Sequence, residues 1–441
     1  MIVINSEDQN FASTFEELLQ RGKMDMEHVS TIVKNIIDEI RLDDDSAVIR
    51  HNEKFDHWKA ETPDDLKIKP EDMKQAYDEL DEQLKDSLHM AYKRIRSYHE
   101  KQLPKSWFET EENGTILGQK VTPVDRAGLY IPGGKAAYPS SLLMNVIPAQ
   151  VAGVRQIVVT TPTPDNEPNK LLLAACYLCG VTEVFKVGGA SAIAAMAYGT
   201  KSIPKVDVIT GPGNIFVATA KKMVFGEVNI DMIAGPSEIG ILADESANPD
   251  HIAIDLLSQA EHDEMASSIL ITPSTIIAQQ CEASIQTWLK KLDREKIARK
   301  SIDERAAIIV TKTMEEAINL MNQIAPEHLE VATDNPFALL PAIKHAGAIF
   351  LGHYTPEAIG DYIAGPNHTL PTGGTAKFYS PLNVENFMKK SSIISFSKKA
   401  IQEIGEACAL IADTEGLGAH AASVRCCLLY TSPSPRDGLL S

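Results

Sequence analysis

Apolar residues along the first 110 or so positions recur at three- and four-residue spacing. "FASTFEELLQRG", "EHVSTIVKNIIDEIRL" and "EDMKQAYDELDEQLKDSLHMAYKRIRSYHEKQL" show the pattern, with many oppositely charged residues four apart. That spacing places apolar side chains on one face of a helix, so a helical N-terminal region is predicted. From about residue 120 the texture changes to short β-branched runs, each ending in glycine or a turn and followed by an alanine-rich stretch. "RQIVVTTPT" (155–163), "EVFKVGGA" (183–190), "VDVITGPG" (206–213) and "EIGILAD" (238–244) are candidate strands. So are "SSILITP" (267–273), "AAIIVT" (306–311), "HLEVAT" (328–333) and "AGAIFLG" (346–352). Strands alternating with helices of about ten residues imply parallel βαβ units. The fold class is therefore α/β, with doubly wound sheets, and the two βα series suggest a pair of similar halves. The helix that ends the chain, after "NVENFMKKSSIISFS", has no room for a core of its own. It is expected to dock elsewhere, a partner subunit included.

Composition narrows the function. With 44% hydrophobic and 23% charged residues among 441, the chain reads as globular. A net charge of −18 without a basic cluster argues against nucleic acid as a partner. The start, "MIVINSEDQNFASTFEELLQ", has no basic segment leading into an apolar run, so neither a signal nor a transit peptide is expected. With no run of about 18 apolar residues, no membrane span is expected either. Cys176 and Cys179 share the apolar run "LLLAACYLCG" and no second CxxC exists, so they read as buried helical thiols in a reducing, cytoplasmic protein. The final segment, 427–441 ("CLLYTSPSPRD…"), changes character abruptly. It looks like translated sequencing adapter, and it is set aside from fold reasoning.

Several stretches could carry chemistry. "GPGNIF" (211–216) and "VGGAS" (187–191) are strand-to-helix turns where a pyrophosphate could meet amide donors; tight-turn geometry alone would also explain them. In "LLSQAEHDEMAS", Gln259 and His262 are three apart on a helix end, as either a surface pair or half of a mixed zinc site. Asp361 and His420 could complete such a set, although spacing does not show that they converge. Residues 358–384, dense in Gly, Pro, Asn and His but interleaved with Tyr362, Ile363, Leu370 and Phe378, suit a folded active-site loop. Finally, "QIAPEHLEVAT" (323–333) sets Glu327 beside His328 in an otherwise apolar run, either a strand entrance facing water or an acid/base pair.

Taken together, these blocks resemble histidinol dehydrogenase. The resemblance rests on "YIPGGKAAYPSSLLMNVIPAQVAGV" (130–154), "VGGASAIAAMAYGT", "ITGPGNIFVATAKK", "DMIAGPSEIGILAD", "DLLSQAEHDEMASSILIT", "APEHLE", "PEAIGDYIAGPNHTLPTGGTAKFYSPLNV" and "EGLGAHA", in order from about 120 to 425. It implies two doubly wound, incomplete Rossmann-like domains. Residues 1–129 would pack with 238–381 as the first, 130–237 would form the second and bind NAD+, and 382–426 would be a helical tail contacting the partner. The implied activity is oxidation of L-histidinol to L-histidine through L-histidinal with two NAD+. The implied enzyme is a homodimer with a shared active site and one Zn2+ per subunit. Its zinc ligands would be Gln259, His262, Asp361 and His420, the last from the neighbouring subunit. Glu327 and His328 match the acid/base pair. Ser237, His368 and Glu415 match substrate-contacting positions, beside the zinc ligands and His328, and Tyr130, Ser191 and Asn214 match cofactor-contacting ones. The family usually carries Gln where Ser191 stands, so that contact is expected to be weakened or re-routed.

The chemistry accounts for the Glu-His pair. Removing hydride from a carbinol carbon requires its hydroxyl proton to leave, and an imidazole with a pKa near ~6.5 can accept it. The aldehyde must then gain water before a second hydride can depart, and Glu327 can activate that water. A thiol-based route to two oxidations fails on inventory, because between 180 and 407 the one cysteine is Cys281, outside every motif. A paralogue oxidising another small polar alcohol, such as a sulfonated diol, is the alternative. Glu415 favours histidinol there, since a carboxylate suits a cationic amine. A non-catalytic scaffold would not need Gln259, His262, Glu327, His328, Asp361 and His420 together.

Overall fold

The computed structural model describes residues 1–20, 26–133 and 138–429. Residues 134–137 of the first resemblance block and 430–441 of the adapter-like tail lie outside them. The chain divides into two compact units, residues 1–103 with 124–387, and 104–123 with 388 onward.

In chain order the strands are β1 (Ile2–Asn5), β2 (Trp107–Thr110), β3 (Ile116–Pro123), β4 (Arg126–Tyr130), β5 (Gln156–Thr161), β6 (Glu183–Lys186) and β7 (Val208–Thr210). There follow β8 (Asn229–Ile230), β9 (Glu238–Ala243), β10 (Ser267–Thr272), β11 (Ala307–Val310), β12 (His328–Ala332), β13 (Ala348–Leu351) and β14 (Met388–Ser395). The first unit holds two parallel sheets, ordered β1-β11-β10-β9-β12-β13 and β6-β5-β4-β7-β8. Apart from the added edge strand β1, both follow one plan. The series starts in the middle, steps outward twice, then returns to the other side of its first strand. Each sheet therefore has a switch point, between β9 and β12 in one and between β4 and β7 in the other. Strands β7, β9, β10 and β11 are buried at every position, as parallel sheets covered on both faces require.

The N-terminal helices depart from the expected grouping. Helix Phe11–Gln20 lays Phe15 and Leu18 on the β9–β12 sheet, but helix Glu27–Asp43 packs Val33, Ile36, Ile37 and Ile40 among Ala192, Ile193 and Val217 of the other half. Helix Pro70–Asp78 pairs with Lys170–Leu178, and Glu82–Glu100 with Pro139–Ala152. Residues 27–100 thus cover mainly the 130–237 half, and the end of the last helix also reaches 238–381, through Arg94 to the Ile363 and Ala364 carbonyls and His99 to Asn367. The helix 189–198 (GASAIAAMAY) is apolar around its whole circumference, so it needs a second layer over it.

The second unit is also less helical than expected. β14 pairs antiparallel with β3 along its full length, and β3 with β2. Helices Lys398–Thr414 and Gly418–Leu429 then pack on each other through Ala409, Ala412 and Ala421, clamped by Arg425 on Glu406 and Asp413. This alanine contact is small, and Ile394, Leu410, Ile411 and Leu417 remain exposed.

One buried ion pair fixes the β4–β7 switch point. Lys221 reaches back along its helix to Asp231 and to the Gly211 carbonyl (3.0 Å), and Asp231 accepts from Gly211 N–H (2.8 Å). Gly211 has φ +115°, and a Cβ there would lie 2.0 Å from the Tyr130 carbonyl oxygen, so no other residue fits this crossing. Lys221→Met would strand Asp231 as an uncompensated buried charge. It should cost about 3–5 kcal/mol, read as a lower urea midpoint; an unchanged midpoint would contradict this role.

Candidate active site

Glu327 and His328 stand where the chain enters β12, at the switch point of the first sheet. The preceding helix, Met314–Ile324, stops at Ala325 in the left-handed region (φ +52°), and Pro326 then commits the backbone to an extended path. Both side chains are buried. Pairing with β9 (His328 opposite Ile239) places Glu238 beside Glu327, and the Glu238 N–H donates to Glu327 Oε2 at 3.0 Å.

The His328 ring has an assigned orientation. Nδ1 lies 3.2 Å from the Glu238 carbonyl oxygen, which can only accept, so Nδ1 carries a proton. Nε2 makes no hydrogen bond of normal geometry among the described residues. Asp361 is 3.5 Å and Glu357 3.8 Å from it. Nε2 is thus the nitrogen left free to accept a proton.

Asp361 and Glu357 come from one short helix, Glu357–Tyr362, on which residues four apart share a face. Gly360 lets that helix sit on Phe350 of β13, since a Cβ there would meet the ring at 2.6 Å. Gln259 and His262 come from the end of helix Pro249–Ala260, which runs back from β9 to the same edge of the sheet. Single ligand atoms of His262, Glu357 and Asp361 all lie within 4.8 Å of one another. Gln259 is buried beside Ala260, and its Oε1 has no hydrogen-bond partner.

The electrostatics are those of a site with surplus negative charge. Burial pushes Glu327 up to about 8 and raises Glu357. For Asp361 burial acts upward, yet the His328, His368 and His262 side chains together hold it below its ordinary value. Burial alone would lower His328, but Glu327, Glu357 and Asp361 raise it to about 10. Three carboxylates around one imidazole, with an unpartnered buried amide oxygen alongside, fit a hard or borderline divalent cation. Such an ion would find the imidazole of His262 and the carboxylates of Glu357 and Asp361 already converging, with the Gln259 oxygen three residues before His262 as a further candidate donor.

A cleft of about 1110 Å3 opens over this cluster, lined among others by Asn229, Asp231, His328, Asp361, His368 and Phe378. His368 is fixed there through Nδ1 to the Asp361 carbonyl (2.9 Å) and Nε2 to the Ser141 hydroxyl (3.3 Å). Ser237, half-buried, immediately precedes β9. Asp231 ties this cleft to the second switch point, where Tyr130 and the two glycine turns meet. The Tyr130 hydroxyl accepts from Gly189 N–H (3.2 Å), and Asn214 caps helix Ile215–Val224 through Phe216 N–H and Val217 N–H. Ser191 turns inward to His51 Nδ1 (2.9 Å), whose Nε2 is 3.0 Å from Glu39. Glu415 and His420 belong to the second unit, where both are exposed. Glu357 and Asp231 were not singled out from the sequence; the spacing of Glu357 four before Asp361 was the available signal.

Comparison with known proteins decides the family. The histidinol dehydrogenase family profile matches residues 19–428. The chain belongs to the histidinol dehydrogenase family. It is therefore an NAD-dependent oxidoreductase. It is 73% identical over 425 residues to histidinol dehydrogenase of Sulfurimonas denitrificans, covering 96% of this chain and 99% of the relative. It is 66% identical over 421 residues to that of Wolinella succinogenes, covering 96% and 98%. The crystal structure of histidinol dehydrogenase from Elizabethkingia anophelis superposes with a TM-score of 0.92 at 35% identity, covering 98% of both chains.

Gln259→Met keeps the volume but removes the unpartnered oxygen. Thermal melts of metal-free protein should show stability held or raised, by up to about 1–3 kcal/mol. Calorimetric titration should show Zn2+ binding weakened by at least about tenfold, since losing even an outer partner of a ligand costs about 10–100-fold. Lower stability with undiminished Zn2+ affinity would contradict the placement.

Proposed function

We propose that this protein oxidises L-histidinol to L-histidine through L-histidinal with two NAD+, within histidine biosynthesis in the cytoplasm. The observation that carries the reading is His328: buried, Nδ1 held by a backbone carbonyl, and Nε2 free toward a cleft it shares with Asp361 and His368. Gln259, His262 and Asp361 would hold Zn2+, with His420 supplied across a homodimer. The apolar residues left exposed on the second unit support such a dimer. When bound, the ion supplies positive charge that offsets the carboxylates and grips the imidazole and amine of the substrate.

With that charge offset, His328 takes the hydroxyl proton as hydride leaves the carbinol carbon for NAD+. Glu327, made more basic by burial, takes a proton from the water that adds to the aldehyde. The resulting diol then repeats the first step, giving hydride to the second NAD+ and a proton to His328. His368 and Ser237 orient the substrate, and Glu415 faces its amine. The cofactor lies at the β4–β7 switch point, against Tyr130 and Asn214. Ser191, engaged by His51, contributes less there than a longer side chain would. No helix among the described residues is long and apolar enough to cross a membrane.

Purified protein with Zn2+ should form about two NADH per L-histidinol consumed and no free aldehyde, and should leave a sulfonated diol untouched. One NADH with aldehyde released would overturn the two-step reading. Turnover of the diol alone would overturn the substrate.

A further inference from the structure

Glu238, the first residue of β9, is a buried carboxylate that no step above uses. It sits beside Glu327 across the strand pair, and the Glu238 N–H donates to Glu327 Oε2 (3.0 Å). Gly373 N–H holds Glu238 Oε2 (3.0 Å). Charges near it are Glu327 and His328 from β12 and Arg305 from the helix before β11. Glu238 also lines a second cleft of about 300 Å3, bordered by Leu19, Gln323, Pro326, Gly374 and Lys377, which shares no lining residue with the substrate cleft.

We propose that Glu238 is a positioning residue that also relays protons, taking from Glu327 the proton removed from water and releasing it through this second cleft. The inference rests on the reading of Glu327 as the base for water. In that half-reaction aldehyde, water and NAD+ become carboxylate, NADH and two protons. The water O–H bond breaks as its oxygen bonds the carbonyl carbon, and that proton passes to Glu327. The diol hydroxyl proton goes to His328. Substrate and cofactor fill the main cleft at that moment, so a base behind them needs another way to discharge. Burial raises both carboxyls, Glu327 to about 8 and Glu238 to about 7, so both can release a proton near neutrality.

Glu238→Gln keeps the shape and an acceptor for Gly373 but cannot pass an acidic proton. With L-histidinal its kcat should fall about tenfold or more, as general-base effects do, with KM held. Added formate at high concentration should restore most of the rate. The first hydride transfer, which involves no water, should lose less. A wild-type kcat, or a loss that formate leaves in place, would overturn the relay. Glu327→Gln in parallel separates the two readings. If it leaves L-histidinal oxidation intact, the base assignment itself fails; if it impairs that step while Glu238→Gln behaves normally, the relay alone fails. Should Glu238→Gln not fold, Gln323→Phe obstructs the cleft from an exposed position without touching either carboxylate. It should slow L-histidinal oxidation at constant KM, and an unchanged rate would overturn the outlet.

Discussion

Glu327, Glu357 and Asp361 crowd one imidazole in a space from which water is largely removed. Each carboxylate there would rather be neutral or paired, and His328 alone cannot satisfy three. The surrounding structure is arranged to hold this imbalance. The Glu238 backbone supplies both a donor for Glu327 and an acceptor for His328, Ser258 donates to Glu357 (2.6 Å), and Glu330 accepts from the Glu357 N–H (2.8 Å). What these neighbours leave unsatisfied, the amide oxygen of Gln259 included, is what a cation at His262, Glu357 and Asp361 would take up.

The fold brings this charge to a reacting carbon by using its two switch points differently. In the β4–β7 half, the glycine turns lie at the carboxyl ends of the strands, the usual place for a dinucleotide in an open α/β sheet. In the β9–β12 half the chemistry sits at the amino ends, because Glu238 and His328 open their strands and the helices carrying Gln259 and Asp361 run back to that edge. Asp231, buried against Lys221 and lining the main cleft, joins the two. The duplicated strand order thus yields one site rather than two.

Much of this was legible in the sequence. The eight apolar runs all became parallel strands, most of them within a residue or two, while β6 and β7 stop three to four residues early, where their glycine turns begin. β1, β2, β3, β4, β8 and β14 were not among the strands read from the sequence. β2 is exposed at every position, and β14 carries "MKKSSIIS", so only pairing with β3, some 270 residues away, defines it. The partner of the N-terminal helices was also hidden, since an amphipathic stripe records that something is buried and not against what. Within the site, residue types were readable while convergence was not. Gln259 and His262 read as either a surface pair or half of a zinc site, and spacing did not show that Asp361, about a hundred residues downstream, converges with Glu357 on His262. Glu238 gave no signal because it reads as one polar residue at a strand start.

The proposed chemistry requires one cation among Gln259, His262 and Asp361. Anomalous diffraction at the zinc edge, from crystals of Zn2+-loaded protein, tests this directly. One peak per chain is expected, about 2.0–2.2 Å from Gln259 Oε1, a His262 ring nitrogen and an Asp361 oxygen. Zinc found elsewhere, with those three side chains left uncoordinated, would contradict it.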